Sequence, residues 1–100
     1  MLIEDAILNF RGFVPTEYIC TEINALVQML LQESPSESFL RASFSRDNHS
    51  FFGAIDITST VGTFCATAID SQVLGLASKL KGQIVRQLEE WKRHRFSKAS

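Results

Sequence analysis

Lys79, Arg86 and Arg93 follow one another at intervals of seven residues. On a helix of 3.6 residues per turn that interval is nearly two whole turns, so the three side chains stack along one flank with little drift, in a cationic line about 20 Å long. Lys81 and Lys92 fall on the opposite flank, and Lys92-Arg93-His94-Arg95 crowds bases toward the end of the same segment. The chemistry such a row performs is charge-assisted contact with a chain of phosphates, releasing the counterions condensed there. The plainer role is a solvated face on a long surface helix, where bases near the C-terminus are also favoured by the helix dipole. The basic run is denser than dipole compensation requires. Gly82 lies opposite the apolar stripe, where it costs about 1 kcal/mol relative to Ala and lets another backbone come close.

The charge distribution singles out the same segment. Across the 100 residues the formal net charge is -1. Residues 1–78 carry three bases against nine acids, net -6, and residues 79–100 carry seven bases against two acids, net +5. Other chemistries find less support. Cys20 and Cys65 have no zinc or disulfide spacing, which fits a reducing cytoplasm. Asp47, His49 and Ser50 lie too close in one turn to form a catalytic triad without a supporting pocket. There is no glycine-rich phosphate loop, metal-ligand spacing or paired carboxylate, so neither enzyme activity nor a cofactor or metal is expected. No basic leader precedes an apolar run and no stretch approaches a membrane span, so a soluble cytoplasmic chain without membrane association is expected.

The elements that must position these residues follow from periodicity. Ala6, Leu8 and Phe10 alternate with Ile7, Asn9 and Arg11, predicting a strand over residues 5–11 that Gly12 ends. Pro15 suits a first helical turn, and Ile19, Ile23, Leu26, Val27 and Leu30 recur at helical spacing until Ser34-Pro35-Ser36. Leu40, Ala42 and Phe44 alternate, the polar cluster 46–50 intervenes, and residues 51–57 and 64–69 alternate again around a turn at 59–62. Those three strands predict an antiparallel meander. Asp70 or Ser71 can cap a last helix whose apolar positions run from Val73 through Ala77, Leu80, Ile84 and Leu88 to Trp91. The expected architecture is one α+β domain over residues 1–100, β-α-β-β-β-α, with a four-stranded sheet and both helices packed on one face. A chain of this length buries roughly two-thirds of its unfolded surface, enough for one core.

With these elements in place, the sequence resembles the bacterial ribosome hibernation-promoting factors, also called ribosome-associated inhibitors or sigma-factor modulation proteins. The likeness runs through Ile7 to Gly12, Ala54-Ile55-Asp56-Ile57, Gly62 to Ala68, and Lys79-Leu80 to Ile84 with Arg86-Gln87-Leu88 and Lys92. It implies a fold related in shape to double-stranded-RNA-binding domains. It also implies a function by occupation: binding of ribosomal RNA in the decoding channel of the small ribosomal subunit, and suppression of translation under stress, with no reaction catalysed. Lys79, Arg86 and Lys92 are implicated in RNA binding by position, and Arg93 and Arg95 by character; Lys81, on the flank of Lys92, is expected to join them from the helix pattern alone.

The chain departs from that family at its first helix. Family members usually place several bases there, whereas residues 15–34 hold none and carry Glu17, Glu22 and Glu33. The alternative reading is a protein-interaction module of the same fold, in which acidic helix 15–34 binds a protein partner or a second copy, acidic face to basic helix.

Overall fold

Side chains that alternate along a strand can bury one face only if something covers it, and here two helices do so. A computed structural model describes the backbone of residues 2, 3 and 5–97 and the side chains from Asp5 to His94. The elements are β1 (Leu2–Ile3), β2 (Ala6–Arg11), α1 (Glu17–Glu33), β3 (Phe39–Asp47), β4 (Ser50–Ser59), β5 (Gly62–Asp70) and α2 (Val73–Ser97). The sheet runs in that order, with β2 and β3 parallel and the neighbours from β3 to β5 antiparallel. The α+β order and the meander are those expected. The two-residue β1, antiparallel to the edge of β2, adds a short extra strand to the four the periodicity predicts.

Local boundaries differ from the sequence reading in three places, each for a local reason. Pro15 precedes α1 instead of opening it, because the Thr16 hydroxyl takes the cap position and accepts the Ile19 N–H at 3.2 Å. Only Asn48 and His49 form the β3–β4 turn. Asp47 pairs with Ser50, and Asn48 takes φ 54°, a left-handed conformation that Asn tolerates. Asp70 and Ser71 do not cap α2: Asp70 is still paired with Phe51 in the sheet, and the first turn closes through Leu76 N–H to Gln72 O at 2.9 Å.

Between sheet and helices lies one core. Leu8, Leu40, Phe44, Ile55 and Ile57 rise from the sheet to meet Ile23, Val27 and Leu30 of α1 and Leu76, Leu80, Ile84 and Leu88 of α2. The period-two positions of the strands and the period-3.6 positions of the helices therefore face each other across this core. At Gly53 the leucines of α2 pack directly onto the β4 backbone. A Cβ there would stand 2.9 Å from both Leu76 Cδ2 and Leu80 Cδ1, so β4 leaves out a side chain for the two leucines to occupy. At the β2 exit Gly12 adopts φ +81°, and a Cβ would meet Arg46 O at 2.9 Å. That tight exit sends the chain back over the sheet to start α1, with Phe13 packed edge-on against Phe51 at 5.0 Å between centroids.

Candidate nucleic-acid interface

The predicted cations lie on both shoulders of α2, because Leu80, Ile84 and Leu88 are committed to the core. Lys79 and Arg86 are on the side of β5 and Lys81 and Lys92 on the side of α1. The four cations are not equivalent to a passing phosphate, and each flank holds one that is engaged and one that is not. Lys79 donates to Ile69 O at 2.9 Å and pairs with Asp70 Oδ2 at 3.1 Å. Lys92 pairs with Glu33 Oε1 at 3.3 Å across the helix pair. Arg86 and Lys81 are exposed and have no acid within 4 Å among the described residues. Arg93 is exposed one turn beyond Glu89. The Arg95 backbone continues α2, and its side chain lies outside the described residues.

Why Lys79 is engaged becomes clear from its neighbours, which sequence reasoning passed over. Gln83 Nε2 donates to Thr67 O at 2.8 Å, Gln87 Nε2 donates to Cys65 O at 2.5 Å, and Cys65 N–H donates to Gln87 Oε1 at 3.1 Å. Four residues of helix advance about 6 Å. Two residues of strand advance about 6.7 Å. Lys79, Gln83 and Gln87 thus meet Ile69, Thr67 and Cys65 in step, and the helix hydrogen-bonds the outer edge of β5 where a further strand would otherwise pair. The signal in the sequence is a strict four-residue repeat of long polar side chains bordering the apolar stripe. Removing both amides in a Gln83→Ala/Gln87→Ala variant is expected to cost about 1–3 kcal/mol in urea denaturation, at about 0.5–1.5 kcal/mol per hydrogen bond with allowance for exposure. It is also expected to promote concentration-dependent self-association through the uncovered edge, seen by sedimentation velocity. An unaltered denaturation midpoint and a monomeric profile would show that water replaces the amides without loss.

At the start of this ladder Asp70 links strand to helix. Its carboxylate accepts the Gln72 N–H at 3.0 Å. That hydrogen bond first, and the Lys79 ammonium second, hold the carboxyl below its ordinary 3.8. The stabilisation is therefore complete above that value and is lost as pH falls through the lower pKa of the folded state.

Farther along β5, Cys65 sits directly across from Asp56 of β4. A hydrogen bond to the Asp56 carboxylate, then burial, then repulsion by the same charge raise the thiol pKa above 9.0. Cys65 is exposed, and Asp56 disfavours its reactive thiolate form. An Asp56→Ala substitution, in a Cys20→Ser background, is expected to accelerate alkylation of Cys65 at mildly alkaline pH and to move the rate profile to lower pH. A profile that stays in place would mean that the carboxylate does not control the thiol.

His49 is exposed at the tip of the two-residue turn, and no cluster of three or more His, Cys, Asp or Glu among the described residues could hold a metal ion. No helix among the described residues is long and apolar enough to cross a membrane.

Comparison with solved structures bears on the whole arrangement. A ribosomal subunit interface protein from Coxiella burnetii superposes with a TM-score of 0.70 at 14% identity, covering 88% of this chain and 97% of that one. The N-terminal domain of Protein Y from Thermus thermophilus superposes with a TM-score of 0.64 at 16% identity, covering 87% and 93% respectively. This chain has their fold. No protein-family model matches the sequence, and no curated protein does. At such identities the likeness is one of backbone architecture, which the hydrophobic pattern specifies far more tightly than it specifies surface residues.

Proposed function

We propose that this chain binds the small ribosomal subunit near the decoding channel and suppresses translation under stress, with α2 as its main contact to ribosomal RNA. The observation that carries this reading is the fold shared with the ribosomal subunit interface protein over nearly that protein's whole length. The exposed cations of α2 supply a means. Arg86 and Lys81 stand ready for phosphates, Arg93 and Arg95 extend the basic run, and Lys79 and Lys92 would join by exchanging their present acidic partners for phosphate. Gly82 lies between the two shoulders with nothing within 4 Å of its would-be Cβ, so an RNA backbone can come close to the helix there.

Co-sedimentation of the purified protein with 70S ribosomes and with separated subunits, at low and near-physiological salt, tests this reading. Salt-sensitive pelleting with the small subunit that persists near physiological salt is the expected result. Absence from the pellet even at low salt would remove it.

A second reading is favoured by the groove between α1 and α2. It is floored by Leu26, Met29 and Ala77 and bordered by Glu22 and Lys81, and α1, which has no base of its own, exposes Glu17 and Glu22 as well as Glu33, the last paired with Lys92 of α2. Such a surface suits a basic amphipathic helix of a protein partner or of a second copy. Pull-down or self-association abolished by substitutions at Met29 and Glu22, with no ribosome binding, is the pattern that would select it.

A further inference from the structure

The sheet face turned away from both helices lies out of reach of α2. Along it the cross-strand rows are read from the register. Ile7, Arg41, Asp56 and Cys65 form one row, Asn9, Ser43, Ala54 and Thr67 the next, and Arg11, Ser45, Phe52 and Ile69 the third. Arg41 and Arg11 stand two rows apart, about 13 Å along the strands, yet both line one cleft of about 360 Å³ together with Asn9, Ser43, Ser45 and Phe52. The Asn9–Ser43 row lies between them.

Three features of this cleft select its occupant. No acid lines it, and neither Arg11 nor Arg41 has an acid within 4 Å among the described residues. Asp56, the acid across the strand from Arg41, is absent from this cleft; it lines an adjoining hollow toward Phe39 and Thr63, whose wall Arg41 shares, and also faces Cys65 in the next strand. Phe52 is 44% exposed at the cleft's edge, beside Ile69, which is 59% exposed. An aromatic face with an aliphatic neighbour beside two unpaired guanidinium groups and several neutral hydrogen-bonding side chains is the composition that holds a phosphate backbone and stacks a base. An acidic peptide would satisfy the arginines but has no use for an exposed ring in that position.

We propose that this open sheet face is a binding site for single-stranded nucleic acid, in which Arg11 and Arg41 take phosphates and Phe52 stacks a base. The site lies on the opposite side of the sheet from α2 and does not depend on ribosome binding. It would let the chain hold two stretches of nucleic acid at once, one on the helices and one on the sheet.

The test uses the purified protein and a fluorescent dodecameric oligouridylate, with affinity followed by anisotropy over a salt series and the site mapped by amide chemical-shift changes. Shifts are expected in the outward-facing residues of β2, β3 and β4. Arg11→Gln and Arg41→Gln are each expected to reduce the salt slope by about 0.7, and Phe52→Ala to weaken binding roughly 5- to 100-fold. Phe52→Leu preserves apolar bulk without a π face, and is expected to lose a similar factor while keeping the wild-type circular dichroism. Inorganic polyphosphate serves as the control without bases, and its affinity is expected to fall with the arginines and not with Phe52. The proposal is overturned by shifts confined to α2, by arginine and Phe52 variants that bind as the wild type does, or by polyglutamate competing as well as the oligonucleotide.

Discussion

Replacing Leu80 by alanine is expected to lower stability by about 2–5 kcal/mol, measured by urea or thermal denaturation, out of a total of about 5–15 kcal/mol for a domain of this kind. Leu80 has no exposed surface and lies over Gly53, the one place in the core where β4 contributes no side chain. Large-to-small substitutions cost most where neighbours cannot move in to fill the space, and a glycine has nothing to move. The upper half of the range is therefore expected. Gly53→Ala alone is expected to cost about 1–3 kcal/mol, because its Cβ would press on Leu76 and Leu80. Combined with Leu80→Ala, the added methyl enters the space left by the leucine, so the double variant is expected to be more stable than the two single losses predict. Strict additivity across that cycle would mean that the helix shifts to accommodate each change separately.

Neutralising the exposed cations of α2 should have the largest effect on binding. In a Lys81→Gln/Arg86→Gln variant the salt dependence of ribosome binding is expected to fall by about one unit per residue, with affinity near physiological salt reduced roughly three- to ten-fold for each. Because both side chains are exposed and without an acidic partner among the described residues, stability should change by no more than about 0.5 kcal/mol. Lys79→Gln is expected to behave in the opposite sense. Its ammonium already serves Ile69 O and Asp70, so the substitution should lower stability and affect the salt slope less. If instead Lys79 and Arg86 contribute equally to the slope, the Asp70 pair must open when RNA binds. Such opening is feasible for a pair whose lysine is 54% exposed and whose aspartate is 21% exposed, since surface pairs are usually worth under about 1 kcal/mol.

These contrasts show where reading the chain succeeds. Strands β2 to β5 and both helices were legible because each buries one face, and burial leaves a period of two or of 3.6 in the order of apolar residues. Leu80, Ile84 and Leu88 on one side of α2, and Lys79, Arg86 and Arg93 away from it, follow from the same geometry. Boundaries were less legible because a single hydrogen bond decides them. The Thr16 hydroxyl moved the start of α1 past Pro15, and the pairing of Asp70 with Phe51 kept that residue in β5 instead of at the head of α2. The two-residue β1 left no periodicity to detect.

The candidate site divides along the same physical line. That cations lie on both shoulders of one long helix is a property of spacing within a single element, and the sequence determined it unaided. Which of those cations are available to a ligand depends on partners from other elements. Glu33 of α1 comes to Lys92 and Asp70 of β5 to Lys79, while Arg86 and Lys81 are left exposed. Likewise, Gln83 and Gln87 read as ordinary surface polar residues until α2 is laid along the edge of β5. Arg11 and Arg41, thirty positions apart in the chain, become neighbours of one cleft only through the parallel pairing of β2 with β3. Local periodicity is written in the chain because it arises from contacts a few residues apart; the pairing of charges and the assembly of a cleft arise from contacts between distant segments, and only the tertiary structure decided those.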